Sequence, residues 1–179
     1  FNGVDKALDH CQAMIEAGAS IIDIGGESTR PNAQAVMTDE EIGRVVPVVE
    51  AIRSHFGSEI WLSIDTSNPR VMQSAFAAGA DIWNDVRALS RANAATMAAK
   101  LDIPVILMHM RGEPTTMNDL AHYKDVILEV STELINRIEQ VTALGVKRDK
   151  IIIDPGFGFA KTYEHHCTLL TQLDRLKAL

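Results

Sequence analysis

The chain has 179 residues, 46% of them hydrophobic and 23% charged, and a formal net charge of −7. That length buries a sizeable core and fits one domain over 1–179, while the acidic balance gives no reason to expect nucleic acid or an anionic membrane as partner. No apolar run reaches the roughly 18 residues of a membrane span, and two distant cysteines on expected helices, Cys11 and Cys167, point to a reducing cytoplasm.

Val4, Leu8, Cys11, Met14 and Ile15 recur at helical spacing, and Gly18 ends that first helix. Residues 21–24 then read as a buried parallel strand. Gly25-Gly26 permits a tight exit and close backbone approach to a ligand. Glu27-Ser28-Thr29-Arg30-Pro31 sets hydroxyls beside a guanidinium, a combination suited to an anion; a plain polar loop is the alternative. Thr38-Asp39-Glu40-Glu41 has the form of a capping box, Thr38 as cap and Glu41 reaching back. The helix behind it is expected to bury Ile42, Val45, Val46, Val49 and Ile52 and to bend at Pro47.

The strand-then-polar pattern repeats. Residues 60–64 lead to Asp65-Thr66-Ser67, and Asn68-Pro69 opens a helix buried through Val71, Met72, Ala75 and Phe76. Residues 80–83 end in Asn84-Asp85, and an alanine-rich helix spans 92–100. Residues 104–108 end in His109-Met110-Arg111-Gly112, followed by a structureless stretch over 112–123, where specificity loops belong. Val126, Ile127, Val130, Leu134, Ile138 and Val141 mark a fifth helix. Residues 151–153 end in Asp154-Pro155-Gly156-Phe157-Gly158-Phe159, and a last helix over 163–179 is expected to bury Leu169, Leu170, Leu173 and Leu176.

Short strands with polar C-terminal ends, separated by helices, are the grammar of an α/β chain of the (β/α) barrel type, whose chemistry sits where strands run into loops. An open doubly wound sheet competes, but no G-x-G-x-x-G follows any strand. Five strands and six helices fall short of an eight-fold barrel. The alternation therefore predicts further strands on both sides and a partial chain.

Asp65, Asn84 and Asp154 fall at strand ends. Asp65 and Asp154 could each cap a local turn; facing one mouth together with Asn84, they suit the edge of a flat polar heterocycle, carboxylates accepting and the amide doing both. A glycoside-hydrolysing acid pair would bring aromatic sugar platforms, and aromatics are 5%. Met108 and Met110 flank His109, so by alternation the methionines share a side; a methionine there packs on a ring or fills core. His109 reads as a structural histidine and Lys161 as a solvated charge. His165-His166-Cys167 resembles a metal cluster only on paper, since adjacent helical residues point apart.

Read together, residues 24–31, Ser63-Ile64-Asp65-Thr66-Ser67, Trp83-Asn84-Asp85, Leu107-Met108-His109-Met110 and Asp154-Pro155-Gly156-Phe157-Gly158-Phe159 resemble the dihydropteroate synthase family, the folate-pathway enzymes inhibited by sulfonamides. The resemblance covers essentially the whole chain. It implies a (β/α)8 TIM barrel of which strands two to six are present and strands one, seven and eight absent. It also implies two small-molecule substrates, 6-hydroxymethyl-7,8-dihydropterin pyrophosphate and p-aminobenzoate, with Mg2+ assisting the departure of pyrophosphate. By position, Asp65, Asn84 and Asp154 match pterin-binding residues and Met108 a residue packing on the ring. Thr29 and Arg30, with Pro31 beside them, match the loop serving pyrophosphate and p-aminobenzoate, and Phe159 an aromatic on the p-aminobenzoate side. No metal ligand is carried over. A homodimer is expected of the full-length protein, and the chain alone is expected to be inactive. The runner-up, a methyltetrahydrofolate-binding barrel of a corrinoid methyltransferase, shares similar Asp and Asn positions but has no use for the Glu-Ser-Thr-Arg-Pro loop; a non-catalytic pterin-binding fragment is the third reading.

Overall fold

The computed structural model describes residues 3–29, 36–177 and 179. Five parallel strands form one sheet, β1 (Ile21–Gly25), β2 (Trp61–Asp65), β3 (Ile82–Asp85), β4 (Val105–Met108) and β5 (Ile151–Asp154), neighbours in space as in sequence. Each crossover therefore advances one place, with no reversal of the kind at which doubly wound sheets bind. The helices α1 (Val4–Glu16), α2 (Thr38–Phe56), α3 (Pro69–Ala77), α4 (Ala94–Leu101), α5 (Val126–Ala143) and α6 (Tyr163–Thr171) alternate with the strands. The α/β class read from the strand-and-helix pattern is the one found.

Strand alternation assigns two faces. Ile22, Ile24, Leu62, Ile64, Trp83, Val105 and Leu107 are buried in the main core together with Val45, Val49 and Ile52 of α2, Val71, Met72 and Ala75 of α3 and Ala98 of α4. Burying one such aliphatic side chain stabilises by about 1.5–3 kcal/mol, so this layer holds the sheet to its helices. A smaller cluster joins Val126, Ile127, Val130 and Leu134 of α5 to Leu169 and Leu176. The opposite face carries Asp23, Asp65, Asn84, Met108 and Asp154, by register.

Local grammar succeeds at α3, where the Asn68 side chain accepts from Arg70 N at 3.0 Å and Pro69 takes the first turn. It fails at α2. Met37 is the cap, and Thr38 Oγ1 instead accepts from Asn68 Nδ2 at 2.7 Å. Glu41 turns inward and accepts from Thr66 Oγ1 at 2.6 Å. A hydroxyl 25 residues away outcompetes the local backbone because Glu41 lies on the helix face that packs over Gly26. A Cβ at Gly26 would meet Glu41 Cγ at 2.9 Å. Helix α2 runs through Pro47 without ending.

Three other expectations are corrected. Phe76 is exposed at the rim of α3. The last helix stops at Thr171 and a separate 3-10 turn covers Leu173–Arg175, leaving Leu170 and Leu173 exposed while Leu169 and Leu176 are buried. The stretch 112–123 is not structureless: a 3-10 turn, Met117–Leu120, buries Met117. No helix among the described residues is long and apolar enough to cross a membrane.

Candidate functional site

The C-terminal strand ends bring four of the singled-out side chains onto the inner face in two steps. Asp65 and Asn84 are direct register partners across β2 and β3. Two residues further along the strands, Met108 and Asp154 are partners across β4 and β5. One layer deeper on β1 lies Asp23, partner of Ser63.

Asn84 Nδ2 points to both carboxylate oxygens of Asp23, at 3.3 and 3.2 Å. Among the described residues, no cation forms an ion pair with Asp65. Burial, and then the charges of Asp23, Asp85, Glu41 and Glu27, push its pKa up to about 7, as expected for a carboxyl desolvated among like charges. This side of the mouth therefore carries an amide, a carboxylate and a second carboxyl poised to hold or release a proton near neutrality. On the helix side of β3, Asp85 is fully buried, takes the Ser67 hydroxyl and accepts from Arg87 N and Leu89 N at 2.9 and 2.8 Å. Those bonds hold a turn in which Ala88 and Leu89 both have positive φ.

The β4–β5 side is built differently. Asp154 accepts at its backbone oxygen from His109 N at 2.9 Å, and at Oδ1 from Gly156 N at 2.7 Å. The turn-capping role left open by the sequence is thus real, and it aims the carboxylate. Gly156 has φ 71°, and a Cβ there would lie 2.1 Å from His109 O, so no larger residue fits. His109 is buried. Its Nε2 lies 3.0 Å from Glu133 Oε2 and its Nδ1 3.0 Å from Lys161 Nζ. An ammonium can only donate, so Nδ1 is the acceptor and Nε2 carries the proton. Burial, reinforced by Lys161, lowers the His109 pKa to about 4; the structural-histidine reading stands. Glu133 also takes Arg111, which bonds Glu129 at 2.8 Å and stacks over Tyr123 at 4.0 Å.

Lys161 corrects the sequence reading. It is no solvated charge: its ammonium donates to His109 Nδ1, to His109 O at 3.2 Å and to Phe159 O at 3.0 Å. Its pKa is pulled down to about 8, by burial chiefly, with Asp154 and Glu133 opposing. His165 and His166 also serve locally, His165 Nδ1 accepting from Thr162 N and His166 Nε2 from Gly158 N.

Thr29 is half-buried beyond the end of β1, and Phe159 half-buried on the loop after β5. Arg30 and Pro31 lie outside the described residues. Asp23, Glu41, Asp85 and Lys161 were missed. Asp23 had a signal, a single charge inside the apolar run Ile22-Asp23-Ile24. Glu41, Asp85 and Lys161 had none, since their partners are remote in sequence or are backbone groups.

No group of three or more His, Cys, Asp or Glu among the described residues could hold a metal ion. The best-placed carboxylate pair, Asp23 and Asp65, lacks a third such ligand among the described residues, and Asp23 already accepts from the Asn84 amide.

The profile of the family described as pterin binding enzymes matches residues 1–179. A curated dihydropteroate synthase from Escherichia coli (strain K12) is 46% identical over 172 residues, 96% of this chain and 60% of that protein. Among solved structures, Yersinia pestis dihydropteroate synthase with a sulfonamide drug complex superposes with TM-score 0.94 at 45% identity, covering 98% of this chain and 63% of that one. Xanthomonas albilineans dihydropteroate synthase with 4-aminobenzoic acid gives TM-score 0.90 at 44% identity, covering 98% and 62%. The chain thus spans about three fifths of the length of these relatives.

Proposed function

The chain belongs to the family of pterin binding enzymes, and from that membership we propose that it forms the pterin floor of a dihydropteroate synthase. The aniline nitrogen of p-aminobenzoate attacks the methylene of 6-hydroxymethyl-7,8-dihydropterin pyrophosphate; a C–N bond forms, the C–O bond to pyrophosphate breaks, and the aniline nitrogen gives up a proton. The observation that carries this reading is the pairing of Asp65 with Asn84, and of Met108 with Asp154, on one inner face. Two carboxyls and an amide offer acceptors and a donor to the edge of a flat heterocycle, and a polarizable thioether offers a face for its ring. The names of the relatives, and the sulfonamide and 4-aminobenzoic acid bound by two of the solved structures, support the same substrates.

In this reading Asp65, Asn84 and Asp154 bind the pterin without moving protons in the reaction. Met108 packs on the ring, Thr29, Arg30 and Pro31 serve the leaving pyrophosphate and the second substrate, and Phe159 lines the p-aminobenzoate side. The five strands correspond to strands two to six of a (β/α)8 barrel, which accords with their consecutive order and with the three-fifths coverage. Mg2+ belongs to the proposed reaction as a neutraliser of the leaving group. The described residues form no ligand set for it, and no step here runs through it. A homodimer in the cytoplasm is the expected state of the full-length enzyme.

The test is pyrophosphate release by the full-length protein given both substrates and Mg2+. Release that stops when p-aminobenzoate is withheld supports the reading; no release beyond the rate without enzyme overturns it.

A further inference from the structure

The loop between β5 and α6 has a backbone that does not hold itself. Gly156, Gly158 and Ala160 alternate in positive φ, at 71°, 86° and 48°, and such residues are fixed only when their surroundings over-determine them. Five contacts supply that. Gly156 N donates to Asp154 Oδ1 at 2.7 Å, Gly158 N to His166 Nε2 at 2.9 Å and Phe159 N to Gly156 O at 3.2 Å, Tyr123 Oη donates to Ala160 O at 3.0 Å, and the Lys161 ammonium grips Phe159 O. Of the partners outside β5, the lysine alone also hydrogen-bonds His109, through His109 O and His109 Nδ1. Its three protons meet three acceptors, and none of these is a carboxylate.

We propose that Lys161 is a positioning residue for the second substrate: by tying Phe159 O to His109 it fixes the loop above the pterin floor and sets the affinity for the aromatic amine, leaving the pterin site alone. The proposal rests on the dihydropteroate synthase reading for the identity of that amine. The division follows from where the groups sit. Asp65, Asn84, Met108 and Asp154 belong to strands whose hydrogen bonds hold them without the lysine. A ligand lying beyond that floor meets the loop, and the loop's conformation hangs on side chains.

The His109 ring is the other half of the device. Glu133 accepts from Nε2, so the neutral ring presents a bare Nδ1 to the lysine, and Arg111 holds Glu133 in turn. The low His109 pKa keeps the ring neutral across the physiological range.

The experiment uses the full-length protein with Lys161→Met and Lys161→Arg. Lys161→Met is expected to raise KM for p-aminobenzoate about tenfold or more, with the Kd for the bare pterin within twofold of the parent. Lys161→Arg should restore most of the loss, since a guanidinium can still donate to both carbonyls. Nitrogen-15 NMR of the His109 ring gives a readout apart from turnover. The parent should show an unprotonated, hydrogen-bonded Nδ1, and in Lys161→Met that signal should move toward a free ring nitrogen. The pH at which the ring protonates should also rise, with Glu133, Arg111 and Tyr123 unchanged around it and the lysine charge gone. Parallel weakening of both substrates, or an unchanged KM for p-aminobenzoate, overturns the proposal while the functional reading survives. An unmoved His109 signal also overturns it. A parent that never consumes p-aminobenzoate overturns both.

Discussion

The two sides of the mouth solve opposite problems. On the β2–β3 side, Asp65 and Asp23 sit with an amide between the strands and no ion pair to any described residue. On the β4–β5 side the groups behind the Asp154 carboxylate answer one another: Arg111 pairs with Glu129 and Glu133, the neutral His109 ring bonds Glu133 and Lys161, and Lys161 meets three acceptors. The first side is electrostatically unfinished, and a ligand bearing donors would complete it. Behind Asp154 the second side is finished, and so serves as a brace. Binding groups are left short of partners at a cost in stability; supporting groups are not.

The largest test breaks the ligand-facing floor, to which Asp65 and Asn84 contribute from one side and Asp154 from the other. In the full-length protein, Asp154→Asn leaves the Gly156 turn a carbonyl acceptor but replaces one ligand-facing oxygen by a donor. A buried ligand donor left badly paired costs about 2–5 kcal/mol, roughly 30- to several-thousand-fold in affinity for the bare pterin. Calorimetry with the pterin lacking pyrophosphate measures it, and unchanged affinity would remove Asp154 from the floor. Asp65→Asn belongs to the same series and should fall in the same range.

The second side breaks through Glu133. Glu133→Ala strips Arg111 of its nearest carboxylate and leaves the His109 proton unanswered in a buried site. Glu133 itself is partly exposed, with 40% of its side chain accessible, so screening limits the loss to about 2 kcal/mol. Denaturant unfolding measures it. A loss under about 0.5 kcal/mol would mean that the brace is ornament and the two sides do not differ as described.

Most of the strand skeleton was legible because a buried parallel strand is an apolar run and each run here ends in a polar residue. The strand-end carboxylates were legible for the same reason. What stayed hidden were contacts between remote positions. Thr38 and Glu41 spell a capping box, yet Thr66, 25 residues on, takes the glutamate. Lys161 reads as one more surface lysine because its acceptors are two backbone carbonyls and a ring 52 residues away. Leu170 and Leu173 share the helical spacing of Leu169, but the helix stops at Thr171 and the stripe is lost. Asp23 alone left a mark in the sequence, one charge inside a strand core.

A pH measurement sharpens the contrast. The Asp65 pKa is raised from 3.8 to about 7 on folding, by burial and its acidic neighbours. Between about pH 4 and pH 7 the folded protein therefore holds more protons than the unfolded chain. The stability this confers is fully present below pH 4 and lost as pH rises through 7. Asp65→Asn removes the dependence. At pH 8 the variant should be more stable than the parent by about 1–2 kcal/mol, with the gap shrinking toward pH 5. Thermal unfolding at both pH values measures it, and a gap that grows on acidification would place the strain elsewhere.

The smallest effect concerns how the braced side keeps its shape. Ala160 is buried with φ 48°, a conformation costing a non-glycine residue about 1–2 kcal/mol. Glycine would relieve that strain but lose the burial of one methyl, about 0.8 kcal/mol, and add about 0.5–1 kcal/mol of unfolded-chain entropy. The terms nearly cancel, so Ala160→Gly should stay within about 0.5 kcal/mol of the parent. The control is Ala98→Gly in α4, equally buried but helical; there nothing offsets the loss, and about 1–2 kcal/mol should go. If side-chain bonds to Tyr123 and Lys161 set the loop, Ala160→Gly should also leave KM for p-aminobenzoate unchanged. A KM that rises while stability holds would mean that the alanine methyl, not the lysine, limits the loop's freedom.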